Sequence, residues 1–341
     1  MRSAGLDAAR RLERLTGTGV RDCRGIGGQH GVRHYRAELA DGRAVFAKIS
    51  GGAPGGGDGA AAEAGRAPGG GDGAAAGAAE ARRGADGRDG AAAGAAEAGR
   101  RPGGDPAGFE AEARGLRWLG EAGAVPVPEV VAWDAAALVI SWVPEEAPGQ
   151  QAAERFGRDL ARLHAAGAGV FGAPWAGSIA GLPLSNDAGT SWPEWYGTHR
   201  LLPYARRARD AGFLTAEDAR LIETVAARAA GLAGPPEPPA RIHGDCWSGN
   251  VLWSGGRGWL IDPAAHGGHR ETDLAMLALF GAPFLPRVVA GYEEAAPLAP
   301  GWRDRVPLHQ LHPLLVHVCL FGPGYRAAAL DAARAALALA R

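Results

Sequence analysis

Cysteine is scarce in this sequence: it occurs three times in 341 residues, at Cys23, Cys246 and Cys319. An odd number of widely separated thiols makes neither a disulfide framework nor a zinc site of the usual spacing. It points to a reducing compartment, so a cytoplasmic location is expected. Charge of one sign is not in excess either: 36 Lys+Arg against 37 Asp+Glu leave a formal net charge of −1. Neither nucleic acid nor an acidic membrane surface is therefore an expected partner. Long apolar runs are missing as well. The longest, from Leu314 to Phe321, is interrupted by His317 and is far shorter than the ~20 residues that span a bilayer.

The largest gap is internal. From 51 to 108 there is no Val, Ile, Leu, Met, Phe, Tyr or Trp, and 40 of those 58 residues are Gly or Ala. The block repeats itself, with GGGDGAAA at 55–62 and again at 69–76. Such material has no face to bury, so the ordering entropy of about 1–2 kcal/mol per residue goes unmatched. A disordered Gly/Ala-rich insertion is the expectation. Lengthening a loop costs only about 0.6 kcal/mol per doubling, so the flanking segments remain free to meet.

What is present is a set of polar residues in an unusual layout. Residues 243–253 read HGDCWSGNVLW, placing Asp245 and Asn250 on a loop before a strand-like run. After a Gly-rich turn, Trp259-Leu260-Ile261 ends on Asp262. This is the arrangement phosphoryl transfer needs: one carboxylate to take the proton of an attacking hydroxyl, an amide and a second carboxylate to hold Mg²⁺ on nucleotide phosphates. A polar turn that merely satisfies its own backbone is the plain alternative.

Upstream, Gly25, Gly27, Gly28, Gln29, His30 and Gly31 form a glycine-rich stretch between two extended runs. Val32 to Leu39 alternates, Asp41-Gly42 signals a hairpin turn, and Ala44 to Ile49 returns with one lysine, Lys48. The pattern matches the phosphate-covering loop and phosphate-pairing lysine of protein-kinase-like folds. Beyond the block, Phe109, Ala113, Leu116 and Leu119 recur at helical spacing, which puts Glu112 on a helix as the lysine's partner, with Glu110 as its rival. Ala137 to Val143 reads as a buried strand stopped by Pro144, a hinge at which Trp142 and Val143 would meet the nucleotide base. At the N-terminus, Leu6, Leu12 and Leu15 suit a short amphipathic helix.

At 243–325 a resemblance becomes specific. HGDCWSGNVLW, LIDPAAHGGHRETDLAM and LHQLHPLLVHVCLFGPGY look like the fructosamine/ketosamine kinase family, a branch of the aminoglycoside-phosphotransferase-like kinases. The resemblance covers nearly the whole chain outside the Gly/Ala block. It implies an α+β, two-lobed protein-kinase-like fold: a small β-rich N-terminal lobe over 1–143 and a larger, mainly helical lobe over 144–341. It also implies ATP- and Mg²⁺-dependent phosphorylation of a hydroxyl, the 3-hydroxyl, of a ketosamine such as fructosamine or ribulosamine. The acceptor would be a small molecule or a glycated lysine, with protein deglycation as the role.

Carried over by position, the resemblance implies Asp245 as catalytic base, Asn250 and Asp262 as metal ligands, and Lys48 with Glu112 as the phosphate-orienting pair. The stretch Gly27 to Gly31 would cover the phosphates. Trp247 would wall the sugar site, His269 and Arg270 would fix the loop or rim the substrate, and Asp273 would brace the catalytic loop. Three departures stand out: His266-Gly267 replaces a Tyr-Tyr pair, Cys246 replaces a leucine, and Ser141 stands where many relatives keep a hinge glutamate. A kinase of another small alcohol, such as an aminoglycoside or amino alcohol, shares this machinery. A non-catalytic nucleotide-binding scaffold is the alternative from another class.

Overall fold

The computed structural model describes residues 2–29, 31–51 and 106–339. The expected disordered block falls mostly on 52–105 and, like His30, lies outside the described residues. Its last three residues, Pro106, Ala107 and Gly108, are helical instead. They form the first turn of α2 (Pro106–Glu121), where a proline is tolerated because its missing N–H would be unpaired anyway.

The small lobe is built on a five-stranded antiparallel sheet. Its strands are β1 (Val20–Gln29), β2 (Val32–Leu39), β3 (Ala44–Ser50), β4 (Val130–Asp134) and β5 (Ala137–Ser141), in the order β1-β2-β3-β5-β4. Alternation decides the faces. Tyr35, Ala37 and Leu39 turn one way with Val45 and Ala47, and pack under helix α1 (Arg2–Thr16) through Ala8 and Leu12. Leu6 was expected on that apolar face but is exposed. Six residues before Leu12 is about 240° around a helix, whereas Ala8 and Leu15 lie on its stripe. The opposite sheet face receives α2, with Phe109, Ala113 and Leu116 against Val130, Leu138 and Ile140.

The glycine-rich stretch is not a free loop. Gly25, Gly27 and Gly28 are part of β1, and the strand absorbs an irregularity between Gly25 and Gly27. A Cβ on Gly28 would sit 2.4 Å from the Val32 carbonyl oxygen, so the close approach of β2 demands glycine there.

The larger lobe is mainly helical. Helices α3 (Gln150–Ala165), α4 (Trp192–Tyr196), α5 (Leu202–Asp210) and α6 (Ala216–Leu232) precede the segment 240–268. Helices α7 (Glu271–Leu279), α8 (Leu285–Ala295), α9 (Trp302–Phe321) and α10 (Arg326–Ala338) follow it. Small hairpins set into this lobe position the polar residues. One is β6 (Gly177–Ile179) with β7 (Leu182–Leu184). Strand β8 (Ala240–Ile242) pairs antiparallel with the later β11 (His266–Gly268). Between them β9 (Val251–Ser254) and β10 (Arg257–Leu260) form a hairpin through Gly255 and Gly256, both at positive φ (57° and 68°). Two consecutive left-handed residues are what a tight two-residue turn needs. Among the described residues no helix is long and apolar enough to cross a membrane.

Candidate active site

Local pairing brings the loop that carries Asp245 and Asn250 together with the second carboxylate, Asp262. Leu260 pairs with Val251, and the Ile261 N–H donates to the Asn250 carbonyl at 3.1 Å. Asn250 and Asp262 are thus neighbours at the open end of one hairpin. Asn250 donates through Nδ2 to the Asp245 carbonyl (2.8 Å) and to Asp245 Oδ2 (3.1 Å). The Asp245 N–H donates to Nδ1 of His243 (3.2 Å), whose Nε2–H donates to the Ile261 carbonyl (2.8 Å). This neutral tautomer agrees with a His243 pKa lowered by burial. Gly244, between them, has φ +80°, and a Cβ there would lie 2.3 Å from the Ala264 carbonyl oxygen.

Asp273, near the start of α7, anchors the same loop from below. It is fully buried and accepts the backbone N–H groups of His243 (2.7 Å) and Gly244 (2.9 Å). His164 of α3 donates to it through Nε2 at 3.1 Å, while the His164 Nδ1 accepts the Tyr292 hydroxyl at 2.8 Å.

From the small lobe Lys48 reaches in. Its Nζ donates to both oxygens of Glu112 at 2.9 Å and to Asp262 Oδ1 at 2.6 Å. Glu110, the rival, is exposed and pairs with Arg114 one helical turn on. One ammonium therefore faces two carboxylates. Burial alone would lower the Lys48 pKa, but Asp262 and Glu112 hold it above the ordinary lysine value. Burial and the neighbouring Asp262 push Glu112 upward against the pull of Lys48. Burial would raise Asp262 too, yet Lys48 keeps it below the usual carboxylate range. Asp245 has no such cation: burial, with the Asp262 and Asp273 charges adding to it, pushes its carboxyl up to about 7. A carboxylate with that affinity is matched to taking a proton near neutral pH.

The donor set fits a hard divalent cation. Asp245, Asp262 and Glu112 outnumber Lys48, and Asn250 spends its amide nitrogen on Asp245, which leaves its Oδ1 available. Oxygen ligands in a site with surplus negative charge are what Mg²⁺ prefers. Asp262 itself sits at φ +53°, a left-handed conformation that Asp tolerates better than most residues.

At the hinge, the Trp142 N–H donates to the Ala44 carbonyl at 2.9 Å, and Val143 is buried. Ser141, in the place of the expected glutamate, accepts the Glu129 N–H on its hydroxyl (2.9 Å) and so serves the sheet. Trp247 lies beside Asp245, 38% exposed. Its indole covers Gly249, where a Cβ would be 2.3 Å from the ring. That contact explains the Trp-Ser-Gly spacing.

His269 and Arg270 are not brought to the open side with Trp247. His269 is buried, with its ring centroid 4.8 Å from those of Trp192 and His309. Arg270 is clamped by both oxygens of Glu237 (2.6 and 2.7 Å) and donates to the Pro297 carbonyl (3.0 Å). Their geometry is that of loop fixing. His266 is buried too, and its Nδ1 lies 2.8 Å from the Ala264 carbonyl. Gly267 admits no side chain, since a Cβ there would be 2.0 Å from the Val170 carbonyl oxygen. A tyrosine at 267 therefore requires segment 168–170 to move.

Sequence reasoning left His243 and His164 without roles, although both orient the loop. The only hint was a histidine directly before Gly244-Asp245; nothing marked His164.

Comparisons with known proteins bear on the family and the fold. The fructosamine kinase family model matches residues 104–338. A probable ketoamine kinase of Synechocystis sp. is 35% identical over 228 residues, covering 64% of this chain and 75% of that protein. A crystal structure from Thermobifida fusca YX-ER1, carrying the provisional name fructosamine-3-kinase, is 48% identical with a TM-score of 0.79. It covers 97% of this chain and 98% of its own. A macrolide 2'-phosphotransferase from Brachybacterium faecium, 14% identical with a TM-score of 0.55 over 97% of both chains, shares the fold alone. With a family match that spans most of its length and a two-lobed kinase-like fold, this chain belongs to the fructosamine kinase family of phosphotransferases.

Proposed function

We propose that this kinase transfers the γ-phosphoryl group of ATP to the 3-hydroxyl of a ketoamine, with Asp245 as the base. The observation that carries the reading is the convergence of Asp245, Asn250 and Asp262 from the large lobe with the Lys48–Glu112 pair from the small one. Lys48 would orient the α- and β-phosphates, with Glu112 fixing its ammonium. The backbone of Gly27, Gly28, Gln29 and Gly31 would cover them, and Trp142 and Val143 would border the base. Asp245, poised by burial, takes the hydroxyl proton as oxygen attacks phosphorus. Asn250 and Asp262 would hold Mg²⁺, which neutralises phosphate charge in transfer. The reading divides the chain into a nucleotide lobe over 1–143 and a catalytic lobe over 144–341, acting in the cytoplasm. Phosphorylation at this position makes a sugar adduct labile, so the role is removal of sugars from glycated amines.

An ATP-consumption assay against ketoamines, amino alcohols and aminoglycosides tests the acceptor. Ketoamines are expected to be turned over at the highest kcat/KM, and a preference for either other class overturns the reading. The metal role has its own test. Asp262→Asn keeps a residue suited to the left-handed backbone but removes the charged ligand. Mg·ATP affinity measured by calorimetry is expected to fall by about tenfold or more. Undiminished binding removes Asp262 from the metal site.

A further inference from the structure

Arg200 is a buried cation with no anion beside it. It lies in the helical turn Gly197–Leu201 between α4 and α5, where the Leu202 N–H reaches back five residues to the Gly197 carbonyl. Such π turns are rare and occur mostly at functional positions. The Arg200 side chain is 1% exposed, and its guanidinium lies 4.1 Å from the centre of the Trp195 indole. Its terminal nitrogens donate to neutral oxygens only: Nη1 to the Ser185 and His199 carbonyls, Nη2 to Oδ1 of Asn186 at 3.0 Å. Among the described residues no carboxylate pairs with it. Burial draws its pKa down to about 9, so it stays charged at neutral pH. Its Nε is buried without an acceptor, and Nε2 of His312 on α9 is buried without a partner too. Arg200 and His312 line one small cavity, about 10 Å³, with Trp192, Tyr196, Ile242 and His266. Unpartnered buried polar atoms of this kind mark the places where a fold takes up an ion or a water.

We propose that this cavity is a binding site for one monatomic anion, chloride in size and charge, held by Arg200 and His312. The class follows from charge and space. The charge to be met is a single positive one, because His266 and His312 are both kept neutral: burial, then the Arg200 charge, lowers their pKa values. A neutral His312 can carry its one proton on Nε2 and donate it, as Arg200 donates from Nε. The space admits one occupant of water or halide size, which excludes sulfate, phosphate and small carboxylates. Water would accept both N–H bonds but leave the guanidinium charge unmet, and an unmet buried charge is costly. A metal ion is repelled by the same charge. Gly244 also lines the cavity, and its N–H donates to Asp273. An anion there therefore supports the loop from its buried side, whatever reaction Asp245 serves.

The test places the full chain in potassium gluconate and titrates potassium chloride or bromide at constant ionic strength while the unfolding temperature is read. The wild type is expected to gain about 2–4 °C for each tenfold rise in halide above its Kd. Crystals grown in bromide are expected to show an anomalous bromine peak between Arg200 and His312. Arg200→Gln keeps a planar donor without the charge and is expected to lose the halide gain. His312→Leu removes one donor and is expected to bind halide about tenfold more weakly. If Arg200→Gln does not fold, His312→Leu and the place of the bromine peak decide. A flat wild-type titration overturns the proposal, and a bromine peak seen in the crystal alone is then an adventitious ion only. An unchanged halide response in the variants also overturns it, by assigning the gain to another site. So does displacement of bromide by a ketoamine, which would make the cavity part of the acceptor site.

Discussion

Asp245→Asn is expected to fold, to bind nucleotide, and to turn over roughly 10²–10⁴-fold more slowly than the wild type. The chemistry it loses is specific. An amide offers an oxygen to the incoming hydroxyl but has no affinity for its proton, so the attacking oxygen stays protonated as the bond to phosphorus forms. The fold is spared for a physical reason. Burial, helped by the Asp262 and Asp273 charges, has already pushed the Asp245 carboxyl up to about 7, so its ionised form is held at a cost. A neutral amide of the same shape removes that cost and can still accept from Asn250 Nδ2, now 3.1 Å from Oδ2. The unfolding midpoint of the variant is therefore expected to equal or exceed that of the wild type. Single-turnover phosphorylation at saturating Mg·ATP separates the chemical step from binding. A folded variant with unchanged kcat would remove Asp245 from this role.

The parts legible in the sequence are those written by local periodicity and turn chemistry. The β9–β10 hairpin could be read from two short apolar runs around Gly255-Gly256, and with it the nearness of Asn250 to Asp262. Glu112 could be favoured over Glu110 because the positions of Phe109, Ala113 and Leu116 fix which helix face turns inward. The glycine stretch misled in part: Gly25 to Gly28 read as a loop, yet the ladder with β2 runs through them because a bulge absorbs the irregularity. Long-range polar contacts leave no such trace. His164 and Asp273 are 109 positions apart, and nothing periodic in α3 marks that histidine. His269 and Arg270 show the converse. The motif left open whether they fix the loop or rim the substrate, because whether a polar side chain faces a cleft or a buried partner depends on residues such as Glu237, Trp192 and His309, which the motif does not contain.

The second large effect lies beneath the base. Asp273→Ala is expected to cost about 3–5 kcal/mol of stability, the range for removing one partner of a buried charged cluster, and to take most of the activity with it. The carboxylate is fully buried and accepts from the N–H groups of His243 and Gly244 and from His164. Burial alone would raise its pKa, but the His164 hydrogen bond and the neighbouring His243 hold it below the usual carboxylate range. Its place in the first turn of α7 adds the favourable end of the helix dipole. Alanine leaves three buried donors without an acceptor, each penalised by about 1–3 kcal/mol. Because the folded pKa is depressed, this stabilisation is present above the unfolded carboxyl value and is lost as the pH falls through the folded one. The difference between wild type and Asp273→Ala in urea unfolding should therefore shrink in acid. Function fails by displacement, since the two N–H groups belong to the residues immediately before Asp245. Lys48 and Glu112 make no contact with Asp273, so KM for ATP is expected to change far less than kcat. Asp273→Asn keeps the volume and one acceptor oxygen, and its losses are expected to fall between wild type and alanine. An alanine variant that unfolds at the wild-type urea concentration and retains its kcat would show that the loop is held by other contacts.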